Sequence, residues 1–204
     1  MICRGVLLML AACMLHGCVS YSLVEAGTVQ VGALQVQPES AWSRASSAAL
    51  PFARSGSTVW TQDGLTLNRL MIIPAVPDGE AIFKDRQGYA ALPKFRATML
   101  PNELEELTAS SLGKMLGEGN AVVQTANLRP HRYGEDRGIL LDLQVAVTDG
   151  PDYKGLAGAL VADDELYVIL YLAAVPYYYE KDLGEAETII KGAHRTTTTL
   201  DSTL

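Results

Sequence analysis

Three places in the sequence carry side chains able to do chemistry. The first is Arg129-Pro130-His131-Arg132-Tyr133-Gly134-Glu135-Asp136-Arg137. His131 beside Glu135 or Asp136 would supply an acid/base pair or a weak metal site, because imidazole titrates near neutral pH and ligates metals as the neutral base. Arg129, Arg132 and Arg137 disfavour a divalent cation there, though they suit an anion. A solvated turn with local ion pairs accounts for the same residues, so a hydrolase centred on His131 stands as an alternative reading. The second place is Tyr177-Tyr178-Tyr179. Three successive helix positions sweep about 200° of arc, so all three rings cannot bury on one face. Tyr177 or Tyr178 is left to line a groove beside Pro176 and to contact a ligand or partner. Rings packed over a sheet edge, with hydroxyls in water, are the bland account of the same triplet. The third place is the set of three cysteines, Cys3, Cys13 and Cys18, all near the start. Beyond Cys18 there is no thiol, so disulfides, Cys-ligated metal sites and thiol catalysis drop out of the body together.

Other chemistry finds no motif. The sequence has no Gly-rich phosphate loop, no His-Glu-X-X-His pair and no Gly-X-Ser-X-Gly elbow. Asp149, Asp152, Asp163 and Asp164 fall in turns, where their side chains satisfy local backbone groups. No catalytic residue, metal site or cofactor is assigned. The 204 residues suit one domain, and 49% hydrophobic with 19% charged residues suits a folded core. The net charge is −7. An acidic surface does not favour nucleic acid or anionic lipid headgroups as partners.

The elements that would position these residues follow from periodicity. Thr28 to Gln37 alternates as a strand and Pro38 ends it. Residues 40–57 are rich in Ser, Ala and Arg and read as a tether or a packed loop, with Trp42 anchored on the core. Thr58–Ile73 reads as a hairpin, because Asp63-Gly64 lies between β-prone runs and Gly accepts the positive φ of a tight turn. Pro74 and Pro77 break that pattern. Residues 79–98 read as a loop packed through Phe83, Tyr89 and Phe95. Residues 101–117 form a helix: Leu104, Leu107, Thr108, Ser111, Leu112, Met115 and Leu116 share one face at 3.6 residues per turn. Its acidic first turn and Lys114 in its last match the helix dipole, and Asn102 is the expected cap. Its three glutamates suggest a metal site only superficially.

Strands follow at 121–125, 139–148, 153–162 and 166–174, joined by close turns and hence antiparallel. In the second, residues 139, 141, 143, 145 and 147 point inward. Gly155 and Gly158 mark close backbone approach. A helix over 177–191 buries Tyr179, Leu183, Ala186 and Ile190. His194 falls in a tail, 193–204, read as disordered. The reading is thus α+β, an antiparallel meander flanked by helices in an α-β-α sandwich. Residues 18–57 form a tether or N-terminal strand region, and 58–192 form the single domain.

The start of the chain has its own logic. Arg4 precedes Gly5–Leu15, an apolar run of signal-peptide length, too short to span a bilayer as a helix. Leu15-His16-Gly17-Cys18 resembles the bacterial lipobox, in which lipid joins the cysteine and cleavage makes it the new N-terminus. Leu10-Ala11-Ala12-Cys13 is the rival, but cleavage there would leave a very short leader, so Cys18 is favoured. The resemblance implies a signal peptide at 1–17, membrane attachment through lipid on Cys18 and an envelope location. Val19, in place of the Asp linked to inner-membrane retention, points to the outer membrane facing the periplasm. The order of elements, with the Asp63-Gly64 hairpin, the helix from Pro101-Asn102-Glu103 and Asp164-Glu165-Leu166-Tyr167 entering an apolar strand, resembles the PsbP-like family over residues 58–192. That group includes photosystem extrinsic subunits, a Ran-binding protein and the DcrB periplasmic lipoprotein. The resemblance implies a binding or assembly module without shared catalytic residues. The expected function is therefore a non-enzymatic envelope module with an envelope protein as partner. A small-ligand module using Tyr177 and Tyr178 is the alternative.

Overall fold

The computed structural model describes residues 20–85, 91–117 and 119–196. An eight-stranded sheet forms its middle layer. In chain order the main-sheet strands are β1 (Tyr21–Val24), β4 (Trp42–Ala45), β5 (Thr58–Thr61), β6 (Asn68–Pro77), β7 (Ala121–Tyr133), β8 (Asp136–Val147), β9 (Tyr153–Ala162) and β10 (Glu165–Ala174). Across the sheet they run β1-β4-β5-β6-β10-β9-β8-β7. Every adjacent pair is antiparallel. A small second sheet joins β2 (Val29–Val31), β3 (Leu34–Val36) and β11 (His194–Arg195). Two helices, α1 (Pro101–Leu116) and α2 (Tyr177–Gly192), complete the described residues apart from a short 3-10 turn at Ser47–Ala49.

Alternation along the strands divides the core in two. One cluster gathers Met71, Ile73, Leu141, Leu143, Val168 and Leu170 beneath α1, with Phe83 and Phe95 from the loop before that helix. The other gathers Leu70, Ile72, Leu140, Ile169, Tyr171 and Ile190, beneath α2 and the small sheet, with Trp42 and Trp60. The result is the expected α-β-α layering. Each fully buried Leu, Ile or Val contributes on the order of 1.5–3 kcal/mol.

Several boundaries differ from the sequence reading, each for a local reason. The strand expected over 28–37 folds into a hairpin, because Gly32 takes φ +57° between β2 and β3. Residues 20–57 are built into the two sheets as β1–β4 and are no tether. Pro74 does not end β6. Leu166 pairs with Val76 and Val168 with Ile73, so Pro74 and Ala75 together oppose one residue. Such a bulge tolerates a residue without an N–H. Asn102 is not the cap of α1. Leu100 takes that place ahead of Pro101, and its N–H donates to the Glu103 carboxylate at 2.6 Å. The strand expected at 121–125 runs on to Tyr133, with a register shift between Ala126 and Arg129. His131 therefore sits on a strand, and only Gly134-Glu135 remains as a turn. Ala193 is buried and His194–Arg195 pair with β3, so residues 193–196 belong to the domain. Residues 197–204, Tyr89 and everything before Ser20 lie outside the described residues.

Gly158 shows what the expected close approach does. A Cβ on it would strike the Tyr133 hydroxyl and stand 2.8 Å from an Ile190 methyl carbon. That hydroxyl donates to the Ile139 carbonyl at 3.0 Å. Gly158→Ala should therefore cost about 1–3 kcal/mol in urea unfolding through overpacking. A loss under 0.5 kcal/mol would show that Tyr133 and α2 shift freely.

Candidate functional site

Polar side chains concentrate where α2 and the chain end meet the sheet. At the N-terminal end of α2, Lys181 Nζ lies 2.6 and 2.7 Å from the two Asp63 carboxylate oxygens. The Asn68 amide nitrogen donates to Asp63 at 2.7 Å and to Asp182 at 2.6 Å. The Asn68 side-chain oxygen accepts from the Thr61 hydroxyl at 2.6 Å and from the backbone of Gln62 at 2.9 Å and Asp63 at 3.2 Å. One asparagine thus closes the β5–β6 turn and bridges two carboxylates. Asn68 and Asp182 are both buried. Burial pushes the Asp182 carboxyl up from its ordinary value; Lys181 and Asn68 oppose the rise and Asp63 adds to it. The sequence reading took Asp63 as turn chemistry and passed over Asp182. A signal existed: Asp182 stands three residues after Tyr179 and four before Ala186, within the inward stripe.

A second cluster fixes the end of the described chain. Arg195 Nε donates to Asp136 at 2.8 Å, and Nη1 donates to Asp163 at 2.6 Å. Its guanidinium lies 5.6 Å from the centre of the Tyr167 ring. The Asp136 hydrogen bond is the largest influence holding the Arg195 pKa up. One arginine from β11 therefore clasps the β7–β8 and β9–β10 turns. Midway along α2, Glu185 accepts from the backbone of Glu39 at 2.8 Å and Ser40 at 3.0 Å, and from the Trp42 indole at 3.4 Å.

The residues singled out from sequence are scattered among these fasteners. His131 Nε2 lies 3.0 Å from the Lys191 carbonyl, and its ring meets Tyr133 edge-to-face at 4.7 Å. Asp136 is committed to Arg195, so the expected His131–Asp136 pair is not formed. Arg129 pairs with Asp142 at 2.9 Å. Among the described residues no group of three or more His, Asp or Glu side chains is placed to hold a metal. Tyr177 is 66% exposed, and its ring meets Tyr178 edge-to-face at 5.2 Å. Tyr178 packs partly on the α2-side core, as does Tyr179, which stacks on Tyr171 at 6.1 Å. Burial pushes the Tyr171 and Tyr179 hydroxyls up. A shallow groove of about 220 Å³ lies nearby on the open sheet face, lined by Val122, Gln124, Gln144, Tyr153, Lys154 and Val175 among others. Neither Tyr177 nor Tyr178 lines it. Cys18 and Cys13 precede the described residues.

These contacts can bind and brace, and two predictions follow from them. A carboxyl whose folded pKa lies above its unfolded one holds more protons when folded, so its contribution to stability falls as pH rises from the ordinary Asp value of about 3.9 through the raised one. Asp182→Asn should gain on the wild type across that window and run parallel above it, read by urea unfolding at a series of pH values. A difference independent of pH would remove the buried-carboxyl account. Arg195→Ala removes three charge-assisted hydrogen bonds, two to Asp136 and one to Asp163, at a mostly buried side chain and should cost about 2–3 kcal/mol. Its sharper signature is local. The Thr196 amide, bonded to the Ala33 carbonyl at 2.8 Å, should exchange with solvent faster while β10 amides keep their relative protection. Unchanged exchange at Thr196 would show that β11 is held by other contacts.

No family model and no curated protein matches the sequence. Solved structures do. The fold is similar to the solution structure of cyanobacterial PsbP (CyanoP) from Synechocystis sp. PCC 6803, with a TM-score of 0.56 and 11% identity, over 89% of this chain and 95% of that one. The Ran-binding protein Mog1p of Saccharomyces cerevisiae matches with a TM-score of 0.46 and 8% identity, over 87% of this chain and 96% of that one. The architecture of this chain, a large antiparallel sheet between helical layers, is PsbP-like.

Proposed function

We infer that the chain is a lipid-anchored, non-enzymatic module of the bacterial cell envelope. It is held through Cys18 at the outer membrane, faces the periplasm and works by contact with an envelope protein. The observation that carries the non-enzymatic part is the engagement of the charged side chains in contacts between elements. Asp63, Lys181, Asp182, Asp136, Asp163, Arg195 and Glu185 fasten α2 and β11 to the sheet. Anchoring rests on the Leu15-His16-Gly17-Cys18 sequence after a short apolar run. Each buried acyl CH₂ contributes about 0.8 kcal/mol, so the two or more chains of a bacterial lipoprotein hold a protein stably. Among the described residues no helix is long and apolar enough to cross a membrane. Partner contact is assigned to the exposed Tyr177 with the half-buried Tyr178 beside it at the start of α2.

Metabolic labelling with a fatty-acid tracer tests the anchor. The wild type and Cys13→Ala should carry label and sediment with membranes, whereas Cys18→Ala should lose both. Label lost only in Cys13→Ala would move the anchor to Cys13, and no label in the wild type would sink the lipoprotein reading. A photo-crosslinker at position 177 should capture an envelope protein from intact cells. Capture from an exposed control such as position 122, with none from 177, would remove Tyr177 from the contact surface.

A further inference from the structure

The first described residue is already tied into the fold. The Ser20 carbonyl accepts a hydrogen bond from the Ser46 backbone at 3.0 Å. β1 begins at the next residue and pairs with β4 from Tyr21–Ala45 to Val24–Trp42. If Cys18 carries lipid, Val19 alone separates it from the bonded Ser20. Extended backbone advances about 3.3–3.6 Å per residue, so Tyr21 lies within roughly 10 Å of the acylated cysteine. An anchor at Cys18 would leave the domain without a tether.

What the anchor brings to the bilayer is specific. β1 is an edge strand of the main sheet. Along it Val24 points into the α2-side core, so Tyr21 and Leu23 project from the opposite face. They are 46% and 67% exposed and count among the few exposed large hydrophobics of the described residues. An aromatic ring with a phenol hydroxyl beside an aliphatic chain suits the boundary between headgroups and acyl chains. Arg44, opposite Ser22 on β4, is exposed on the other face of this edge, the side toward which Val24 and Trp42 point. The remaining exposed large hydrophobics are Leu100 at the start of α1, Val122 on β7 at the far edge of the sheet and Tyr177 on α2.

We propose that β1 is a membrane-docking strand: Tyr21 and Leu23 insert into the lipid interface beside the acylated Cys18 and fix which way the sheet faces. This rests on lipidation of Cys18. The short connection then sets the orientation, and the apolar pair holds it. β7 and the groove beside it are left toward the aqueous phase, free of the bilayer.

The test uses the full-length chain, expressed with its leader, purified in lipidated form and reconstituted in phosphatidylethanolamine/phosphatidylglycerol vesicles. Trp42 and Trp60 are buried, so a tryptophan placed at Leu23 reports on its own surroundings. Leu23→Trp should lose at least half of its added fluorescence when the acyl chains are brominated, while wild type and Val122→Trp change little. An unquenched Leu23→Trp in protein that carries acyl label on Cys18 overturns the docking and leaves the anchor standing. Absence of acyl label on Cys18 overturns the anchor, and the docking with it. A photo-crosslinker at position 23 should capture lipid. Capture of protein without lipid would give β1 to a protein partner and end the proposal.

Discussion

Nine consecutive residues of β10, Leu166 to Ala174, are closed to solvent. Leu166, Val168, Leu170 and Leu172 face one core; Tyr167, Ile169, Tyr171 and Ala173 face the other. A strand buried on both faces requires a covering layer on each side of the sheet. α1 with the loop carrying Phe83 and Phe95 supplies one. α2 with the small sheet supplies the other. β6 and β9 flank β10 and complete its hydrogen-bond ladder. The polar side chains then fall at the perimeter, where the second layer must be fastened down.

That placement explains why the charged residues have structural work. α2 is held by Lys181 and Asp182 toward the β5–β6 turn and by Glu185 toward the segment before β4. β11 is held by Arg195. A charge left half-buried without a partner is costly, whereas a paired one restrains geometry. Asn68 links two carboxylates that would otherwise repel, which is why one buried amide serves both the hairpin and the helix. Lys181 differs from the buried members: its ammonium is partly in water and adds little stability on its own.

Much of this architecture was legible in the sequence. The leucine stripe of α1, the alternation of β8 and the apolar run of β10 each carry a periodicity that burial imposes. The β5–β6 hairpin was legible from Asp63-Gly64, though its loop extends to Leu67. Two of the misread elements, β7 and β11, have polar character at a sheet edge. β7 is exposed along alternate positions and carries Arg129, Pro130, His131 and Arg132, so its composition mimics a loop. β1 is four residues long, too short for alternation to stand out, and β2 and β3, three residues each, read as one strand because their alternation continues across the Gly32 turn. β11 is two residues, and only Arg195 reaching distant aspartates reveals it. Such long-range pairs leave no trace in local spacing. The site was less legible for the same reason. Asp63, Asn68 and Asp182 are brought together by tertiary packing, whereas Cys18 is read from its neighbours alone.

An anchor at Cys18 would leave very little chain between lipid and sheet. An acylated Cys18 would be separated by Val19 alone from the hydrogen-bonded Ser20, and the sheet begins at Tyr21. With lipid on Cys18, membrane attachment and domain orientation would become one property. Neutron reflectometry of the lipidated full-length chain on a supported bilayer measures this directly. The account predicts protein density continuous with the headgroup layer. A hydrated gap wider than the roughly 10 Å that the connection can span, or protein that washes off the bilayer, would contradict it.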